Sequence, residues 1–526
     1  MKRLLVILLL IPVLQPLAQP LTRSLTPEAY GVSSVGISDF LTAAGKSKNE
    51  FHSFMFLRHG MVIAEGWWNP YRADLRHSMY SVSKSFTSTA VGFAISEGKL
   101  HLEDKVVSFF PEDLPDHVSP YLAALTVKDM LSMLEGQDPD PTGPVTTNDS
   151  NWVKGFLAMP IVNRPGEHFL YNTLGVYVLS AIVQKVTGQK IYDYLTPRLF
   201  RPLGIAGADW EESPQNINTG GWGLRLKTED MAKFGQLYLQ NGNWNGKQLL
   251  PAAWITDATT SKNDEGPGWA SHTPRDSSDW RQGYGYLFWR CRHGAFRADG
   301  AMGQYIIVMP KEDAVVAITC ETPDMQDEIN LVWRYLLPSI HKDPLPADPA
   351  ALDALHRQEA ALALPLPPKV SNPTLADQVS GKTYYFSSNG EHLHSLTFRF
   401  PLEQCLVTRE NIDSTIVPGD AVHVTYAPLC FGRGVWAYGE TTLRGPYLSN
   451  AKTSLTRLAP FETAGSYTWK DSTTLELVLR YIQSPHTQYI TCHFDGKKVT
   501  VHLTSSLDGG KKEVILEGEN RPSPGD

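Results

Sequence analysis

The chain has 526 residues, of which 42% are apolar and 19% are charged, and its formal net charge is −8. This length suggests about two to four domains, and the composition is typical of a folded globular protein, which excludes a disordered chain. No basic run or interleaved aromatic stripe offsets the negative charge, so nucleic acid is excluded as an expected partner.

The first residues predict a secretory signal peptide over residues 1–18. Lys2 and Arg3 precede an unbroken apolar run over residues 4–10, and Ala18 supplies a small residue for cleavage. The run is too short for a spanning helix, and no later apolar stretch reaches the length of about 18 residues that such a helix needs. We therefore expect a periplasmic or secreted protein without a membrane span; a buried N-terminal helix is the less favoured alternative.

Residues 25–343 alternate between helix-like and strand-like segments, as judged from apolar spacing and helix caps. The predicted helices are 81–96, 176–186 and 228–239, and the predicted strands are two within 51–64, then 284–290, 304–309 and 314–319. Helices interspersed with a late antiparallel sheet predict an α+β domain.

A change of composition after this domain predicts a linker and a second domain. Residues 344–373 are rich in proline and alanine, which indicates a linker around one short helix near 350–364. Residues 374–520 contain short runs in which apolar and polar residues alternate, separated by turn residues. This pattern predicts an all-β domain, either a sandwich or a small barrel.

The sequence predicts no metal site and no organic cofactor. His392 and His394 alternate on a predicted strand, but without further ligands at suitable spacing a solvated pair is favoured over a metal site. Five cysteines lack any Cys-x-x-Cys spacing. Cys291 and Cys320 could be neighbours in a sheet, and an oxidising compartment would permit a disulfide there, but an odd number leaves at least one thiol unpaired.

Ser81 is the candidate nucleophile, as the first residue of a Ser-x-x-Lys pattern. The pattern also begins at Ser96, Ser339 and Ser449, but only Ser81 opens a long predicted helix. There the side chains at i and i+3 share a face, so the Lys84 amine can reach the Ser81 hydroxyl, and the helix N-terminus supplies free N–H groups. A serine needs such a base, and a lysine serves only if burial lowers its pKa.

The segment 78–88 is similar to the active-serine segment of class C β-lactamases, D-alanyl-D-alanine carboxypeptidases and related esterases and 6-aminohexanoate-dimer hydrolases. Segments 98–106 and 125–131 resemble stretches that follow the serine helix in that clan, and segments 220–224 and 228–239 resemble its glycine turn and following helix. The resemblance covers approximately residues 30–340. It implies a β-lactamase/transpeptidase-like domain, in which helices and a helical subdomain flank an antiparallel sheet.

Residues 165–173 resemble the second motif of the clan, Tyr-x-Asn. The resemblance implies that Tyr171 shuttles a proton between Ser81 and the leaving group, and that Asn172 and Thr173 contact the substrate. Thr173 stands at the asparagine position, as in a Tyr-Asn-Ser variant of the dimer-hydrolase-like relatives. Taken alone, Tyr171 would be read as an amphipathic core residue.

Residues 298–304 resemble the third motif, Lys-Thr-Gly or His-x-Gly, although three such residues alone would indicate an ordinary hairpin. A glycine at position 300 permits close approach of the substrate backbone. The resemblance implies that the N–H groups of Ala301 and Ser81 form an oxyanion hole. Ala298 occupies the cationic position, and Arg297 should point to the opposite face of the strand. In the family pattern, the cation at this position binds the carboxylate of a β-lactam or peptide. Because this chain has alanine there, we do not expect strong β-lactamase or carboxypeptidase activity.

These motifs predict acyl transfer to Ser81, with Lys84 and Tyr171 as acid/base partners and an amide or ester as the small-molecule or peptide-like substrate. No G-x-S-x-G elbow is present, which argues against an α/β-hydrolase. One alternative is a non-catalytic binding or sensing protein on a penicillin-binding fold. Another is an assembly role, in which the β domain supplies the interface.

Overall fold

The computed structural model describes residues 20–24, 26–264, 266–413 and 423–521. They form an α+β unit followed by an all-β unit, which confirms the predicted fold class. The predicted signal peptide, residues 1–18, lies outside the described residues.

The N-terminal unit is built on a six-stranded antiparallel sheet of order β2-β1-β11-β10-β9-β8. Its strands and those of two small sheets are β1 Glu50–Arg58, β2 Met61–Trp67, β3 His77–Ser78, β4 Asp209–Trp210, β5 Leu224–Leu226, β6 Asn243–Trp244, β7 Lys247–Gln248, β8 Trp289–Arg290, β9 Phe296–Gly300, β10 Gln304–Met309 and β11 Ala314–Glu321.

The helices cover both faces of this sheet and form a helical region beside it. They are α1 Ser34–Lys46, α2 Ser83–Ser96, α3 Pro120–Ala124, α4 Val127–Leu131, α5 Thr142–Asn148, α6 Trp152–Ala158, α7 Thr173–Thr187, α8 Ile191–Leu195, α9 Arg201–Leu203, α10 Thr228–Leu239, α11 Ala252–Thr259, α12 Met325–Leu331, α13 Pro349–Ala360 and α14 Pro373–Val379.

Strands β10 and β11 are buried at every position. Because successive side chains of a strand point to opposite faces, continuous burial requires a cover on both sides of the sheet. Helix α10 packs against β1, β10 and β11, while α1 packs against β1, α12 and α13. The central strands are thereby held rigidly, and β9 reaches the edge of the helical region.

Helix α7 organises the helical region by packing against α2, α4 and α6. It is longer than the predicted 176–186 because Asn172 caps its first turn, and it ends at Gly188 in the left-handed conformation. Helix α2 is shorter than predicted: a 3₁₀ turn over Tyr80–Val82 precedes its start at Ser83.

The strand predicted over 284–290 is wrong except at its end, where Trp289–Arg290 forms β8. Leu287 has a φ of 63°, which a continuous strand does not permit. The aromatic residues of this segment pack against separate neighbours. Tyr284 lies edge-on to Phe169 and Trp289. Tyr286 packs on Trp254, and Phe288 packs on Tyr238. All residues from 283 to 289 are buried, so the packing of a folded loop, and not a pleat, accounts for this apolar run.

The C-terminal unit is a ten-stranded barrel whose strands pair antiparallel in the order β15-β14-β13-β12-β21-β20-β19-β18-β17-β16. A parallel pairing of β15 with β17, at Gly432 and Ser466, closes it. Of the two predicted alternatives, the structure has the barrel. Its strands are β12 Thr383–Phe386, β13 Leu393–Arg399, β14 Gln404–Asp413, β15 His423–Arg433, β16 Ala437–Thr441, β17 Phe461–Trp469, β18 Thr474–Tyr481, β19 Thr487–Asp495, β20 Lys498–Ser505 and β21 Val514–Glu519.

The barrel contacts the N-terminal unit through polar groups and through apolar residues such as Ile482, which belongs to the same buried cluster as the N-terminal core. Arg480 makes an ion pair of 2.6 Å with Glu50 at the start of β1. The Ser78 amide, three residues before the candidate nucleophile, donates to the Gln483 carbonyl at 2.9 Å. Burial raises the pKa of Glu50, whereas hydrogen bonds and charges from His52 and Arg480 lower it. The lowering is larger, so the pKa of Glu50 falls to about 2.

All five cysteines are free, so Cys291 and Cys320 do not form the disulfide that their positions allowed. Burial raises the pKa of Cys291 to about 12, and its sulfur lies 3.2 Å from Arg297 Nη1. No helix within the described ranges is long and apolar enough to cross a bilayer.

Candidate active site

Ser81 and Lys84 meet at the N-terminal end of α2. Lys84 Nζ lies 2.9 Å from Ser81 Oγ and 2.8 Å from the carbonyl oxygen of Gly221, to which it donates. The i, i+3 spacing brings the Lys84 amine to Ser81, and the turn that contains Gly221 brings a carbonyl oxygen to the same amine. A Cβ on Gly221 would lie 2.6 Å from Thr173 Cγ2, so the close approach of this turn requires glycine.

The turn that carries Ser81 is held in an unusual backbone conformation. Tyr80, the preceding residue, has a φ of 44°, in the left-handed region that non-glycine residues rarely occupy. The Ser83 hydroxyl donates to the Tyr80 carbonyl at 2.6 Å and accepts from the Leu224 amide at 3.2 Å. These bonds anchor the turn to strand β5 and leave Ser81 partly exposed.

Lys84 is 1% exposed, and desolvation by burial lowers its pKa to about 7. The carboxylates of Asp140 and Asp299 oppose this fall, because each stabilises the charged amine. A lysine with this pKa is neutral in a large fraction of molecules near neutral pH. The amine can therefore act as a base toward the adjacent hydroxyl.

The Tyr171 ring lies close to the Lys84 amine. Lys84 Nζ is 4.8 Å from the centre of the Tyr171 ring, which stacks on Trp289 at 5.9 Å. Burial and the Asp299 charge raise the pKa of Tyr171 above its usual value, whereas a hydrogen bond with Ser81 opposes the rise. The phenol therefore stays protonated at neutral pH, and it lines the same cavity as Ser81.

The turn between β9 and β10 lies against the serine turn. A Cβ on Gly300 would lie 2.3 Å from the Met79 carbonyl oxygen, so this glycine permits close packing of the two backbones. Ala301 follows in the turn and lines the same cavity as Ser81. The contact that requires glycine is thus with the chain's own backbone.

Asn172 and Thr173 take structural positions. Asn172 is fully buried; its Oδ1 accepts from the Gly175 amide at 3.0 Å and its Nδ2 donates to Gln137 at 2.7 Å. Thr173 is partly buried against Gly221. Neither is among the described residues that line the cavity beside Ser81, so the structure does not bring them to the place that the resemblance implied.

A cavity of ≈ 510 Å³ opens beside Ser81. It lies between the β9–β10 turn, the N-terminus of α12 and the segment before β8. Its described lining residues are Ser81, Tyr171, Trp269, Ala270, Thr273, Ser278, Trp280, Trp289, Asp299, Ala301, Pro323, Asp324, Met325 and Gln326.

Sequence reasoning missed Asp299 and the tryptophans of this cavity. Trp269 is exposed and Trp280 is buried, and both belong to a segment without a recognised motif. Asp299 could have been found, because it lies two residues after Arg297 on one strand and must share its face. Arg297 Nε and Nη2 both lie 2.8 Å from Asp299 Oδ2, and Ala298 points to the other face.

The barrel reaches the serine turn through Tyr80. The Tyr80 hydroxyl lies 2.5 Å from His486 Nε2, and His486 Nδ1 lies 2.6 Å from Glu321 Oε1 at the end of β11. Tyr447 of the barrel stacks on the Tyr80 ring at 5.3 Å. The residue before the candidate nucleophile is therefore held by both units.

Comparison with known proteins identifies the family. The sequence model of the β-lactamase family matches residues 52–337, which is more than half of the chain. The chain belongs to the β-lactamase family. The matched range includes Ser81, Lys84, Tyr171 and the β9–β10 turn, and it confirms the resemblance to penicillin-recognising proteins.

This β-lactamase family member is 27% identical over 296 residues to a 6-aminohexanoate-dimer hydrolase of Paenarthrobacter ureafaciens, covering 52% of the chain and 73% of the relative. It is 24% identical over 253 residues to a provisionally named D-alanyl-D-alanine carboxypeptidase of Escherichia coli K12, covering 36% of the chain and 58% of the relative. The family and these relatives support a serine hydrolase of the β-lactamase and penicillin-binding protein superfamily.

A solved structure shares the fold of this β-lactamase family member. It comes from Bacillus anthracis and is provisionally named a 6-aminohexanoate-dimer hydrolase. The two superimpose with a TM-score of 0.51 at 22% identity, over 63% of the chain and 89% of that structure. Within the described residues, no group of three or more His, Cys, Asp or Glu side chains is arranged to hold a metal ion.

Proposed function

We propose that the protein hydrolyses an amide or ester bond through an acyl-enzyme on Ser81. The observation that carries the proposal is the distance of 2.9 Å between Ser81 Oγ and the almost fully buried amine of Lys84. A serine hydroxyl becomes an effective nucleophile when a base within hydrogen-bond reach accepts its proton.

In the proposed reaction, the neutral amine of Lys84 takes the Ser81 proton as Oγ forms a bond to the substrate carbonyl carbon. The carbonyl oxygen becomes an oxyanion, stabilised by the N–H groups of Ser81 and Ala301. Tyr171 passes a proton to the leaving amine or alcohol as its bond to the carbonyl carbon breaks, and protonated Lys84 returns the Ser81 proton to Tyr171. Water then attacks the ester of Ser81 and releases the acid, restoring the serine. In this second half, Lys84 accepts a proton from the attacking water and passes it back to Ser81 Oγ as the acyl bond breaks.

The two candidate bases differ in protonation, which supports Lys84 as the base. The pKa of Lys84 is lowered to about 7 by burial, whereas burial and Asp299 raise the pKa of Tyr171. At neutral pH the amine can accept a proton and the phenol can donate one. Tyr171 is therefore suited to relay a proton, not to begin the reaction.

Labelling with a fluorophosphonate tests this proposal directly. Wild-type protein should form an adduct on the peptide that contains Ser81 and should hydrolyse p-nitrophenyl esters. Ser81→Ala should lose both, and Ser96→Ala, at the opposite end of α2, serves as the serine control, with its adduct still on Ser81. An unlabelled Ser81 in folded wild-type protein would favour the alternative of a binding or sensing protein.

We also propose that the protein is exported to the periplasm or secreted. The charged start, the apolar run over residues 4–10 and the small residue Ala18 support this proposal. Expression of the full chain should yield mature protein outside the cytoplasm with an N-terminus near residue 19, as read by mass spectrometry. An intact N-terminus that stays in the cytoplasm would contradict it.

A further inference from the structure

The cavity beside Ser81 combines aromatic walls with carboxylates. Trp269, Trp280 and Trp289 line it, together with Asp299 and Asp324, and none of its described lining residues is Lys, Arg or His. An indole face attracts a cation through its quadrupole, and a carboxylate adds a charge-assisted hydrogen bond. This combination is suited to an ammonium or guanidinium group and unsuited to an anion.

The charges buried behind the cavity wall balance one another. Arg297 pairs with Asp299 at 2.8 Å, and Arg292 pairs with Asp279, also at 2.8 Å. These two positive and two negative charges leave Asp324, which is exposed at the N-terminus of α12, without a compensating cation in this group. Lys84 beside Ser81 adds a further positive charge only when it is protonated, and its pKa is lowered to about 7. At pH 8 the cavity therefore presents an excess of negative charge to a substrate.

Asp299 retains hydrogen-bonding capacity within its ion pair. Both contacts from Arg297 go to Oδ2, so this pair does not use Oδ1. The Arg297 guanidinium also lies 4.6 Å from the centre of the Trp280 ring, so the wall already holds one cation against an indole. Asp299 lines the cavity two residues before Ala301, a separation of roughly 6–7 Å along a strand.

We propose that this cavity is a subsite for a cationic group of the substrate, an ammonium or guanidinium carried a few bonds from the scissile carbonyl. The carboxylates of Asp299 and Asp324 attract the positive charge of the substrate, and the indole rings of the three tryptophans provide the surfaces against which it packs. The inference rests on the proposed function, because the subsite serves the same Ser81. It assigns substrates with a free amine, not those with a carboxylate.

Three p-nitrophenyl esters of similar length test the inference: 6-aminohexanoate, heptanoate and the monoester of adipate. The wild-type protein at pH 8 and low salt should show kcat/KM at least about fivefold higher for the ammonium ester than for the neutral one, and lowest for the carboxylate. Added salt should reduce this preference, because it screens the charges. Uncatalysed hydrolysis of each ester is subtracted.

Two variants locate the preference. Asp299→Asn leaves the Arg297 charge uncompensated, so the ratio of ammonium to carboxylate ester should fall by about tenfold or more. Asp324→Asn should lower the same ratio by a smaller factor. Asp327→Asn, on the same helix but outside the lining, is the matched control and should keep the wild-type ratio.

A measurement on wild-type protein alone covers the case in which Asp299→Asn fails to fold. Hexylammonium should inhibit turnover of the neutral ester competitively and more strongly than hexanol or hexanoate does. Equal kcat/KM for all three esters, or stronger inhibition by hexanoate, would overturn the cationic subsite while leaving the proposed hydrolase intact. Absence of both ester turnover and Ser81 labelling would instead overturn the proposed function.

Discussion

Lys84 can act as a base only when its amine is neutral, and burial brings its pKa to about 7. With the neutral ester, kcat/KM should therefore rise with pH to a plateau, with a midpoint near pH 7. Lys84→Arg should lose at least about 100-fold at pH 8, because a guanidinium stays protonated. A midpoint near the ordinary lysine pKa, about 10.4, would contradict the assignment.

Asp299 should influence the same titration. Its charge, with that of Asp140, stabilises protonated Lys84 and keeps the pKa of the amine from falling further. Asp299→Asn removes this stabilisation, so the midpoint of the pH profile should move to lower pH. The measurement uses the neutral ester, since its charge does not change. An unchanged midpoint would indicate that Asp299 does not act on Lys84.

At the scale of residues, local spacing predicted the Ser81–Lys84 pair but not the cavity wall. The pair lies within one helical turn, so the i, i+3 rule was sufficient. The motif comparison concerned Ala298 and assigned no role to Asp299. Strand alternation nevertheless places Asp299 on the same face as Arg297. Trp269 and Trp280 enter the cavity through long-range packing that no local pattern encodes.

At the scale of elements, Gly300 sets the distance between the β9–β10 turn and the serine turn. Gly300→Ala would place a Cβ 2.3 Å from the Met79 carbonyl oxygen and push the two turns apart. We expect kcat/KM to fall by roughly tenfold or more, because misplaced reacting groups lose rate steeply. Gly45→Ala is the control: its Cβ would meet nothing within 4 Å, and activity should be unchanged.

Asn172 caps α7 and should act on stability. Asn172→Ala removes the cap bond to the Gly175 amide and the bond to Gln137, so the free energy of unfolding should fall by about 1–2 kcal/mol. Asn172→Ser keeps a capping oxygen and should recover part of this loss in denaturant unfolding. Equal losses in the two variants would show that the cap contributes nothing.

Three long helices of the N-terminal unit, α2, α7 and α10, and its central strands were predictable because their apolar spacing reflects burial on one face or two. The segment 284–290 was not, since its aromatic residues pack against separate neighbours, Tyr284 on Phe169 and Tyr286 on Trp254. A short apolar run reports burial, and a folded loop with a φ of 63° at Leu287 buries its residues as completely as a strand would.

At the scale of the whole molecule, the barrel should affect catalysis through Tyr80. His486→Ala removes the contact with the Tyr80 hydroxyl, so the Ser81 turn should lose its left-handed conformation part of the time and kcat should fall by about tenfold. His486→Gln, whose amide can still reach the hydroxyl, should recover part of the rate. Turnover of the neutral ester is the measurement.

A second contact between the same two units provides the control. Arg72 pairs with Glu462 of the barrel without touching Tyr80. Glu462→Gln should lower the thermal midpoint slightly and leave kcat as in wild type. Equal effects of His486→Ala and Glu462→Gln on kcat would mean that the barrel merely stabilises the fold. No sequence pattern could have shown this link, because 406 residues separate Tyr80 from His486.

The left-handed Tyr80 has a consequence for protein engineering. Its peptide unit carries the Ser81 N–H, and its side chain is clamped by His486 and Tyr447 of the barrel. The barrel therefore cannot be replaced by another barrel without affecting the Ser81 turn. A chimera that joins another barrel to residues 20–343 would need an equivalent histidine and aromatic ring beside Tyr80. Without them, the Ser81 N–H would point away from its position in the wild-type protein and kcat would be low.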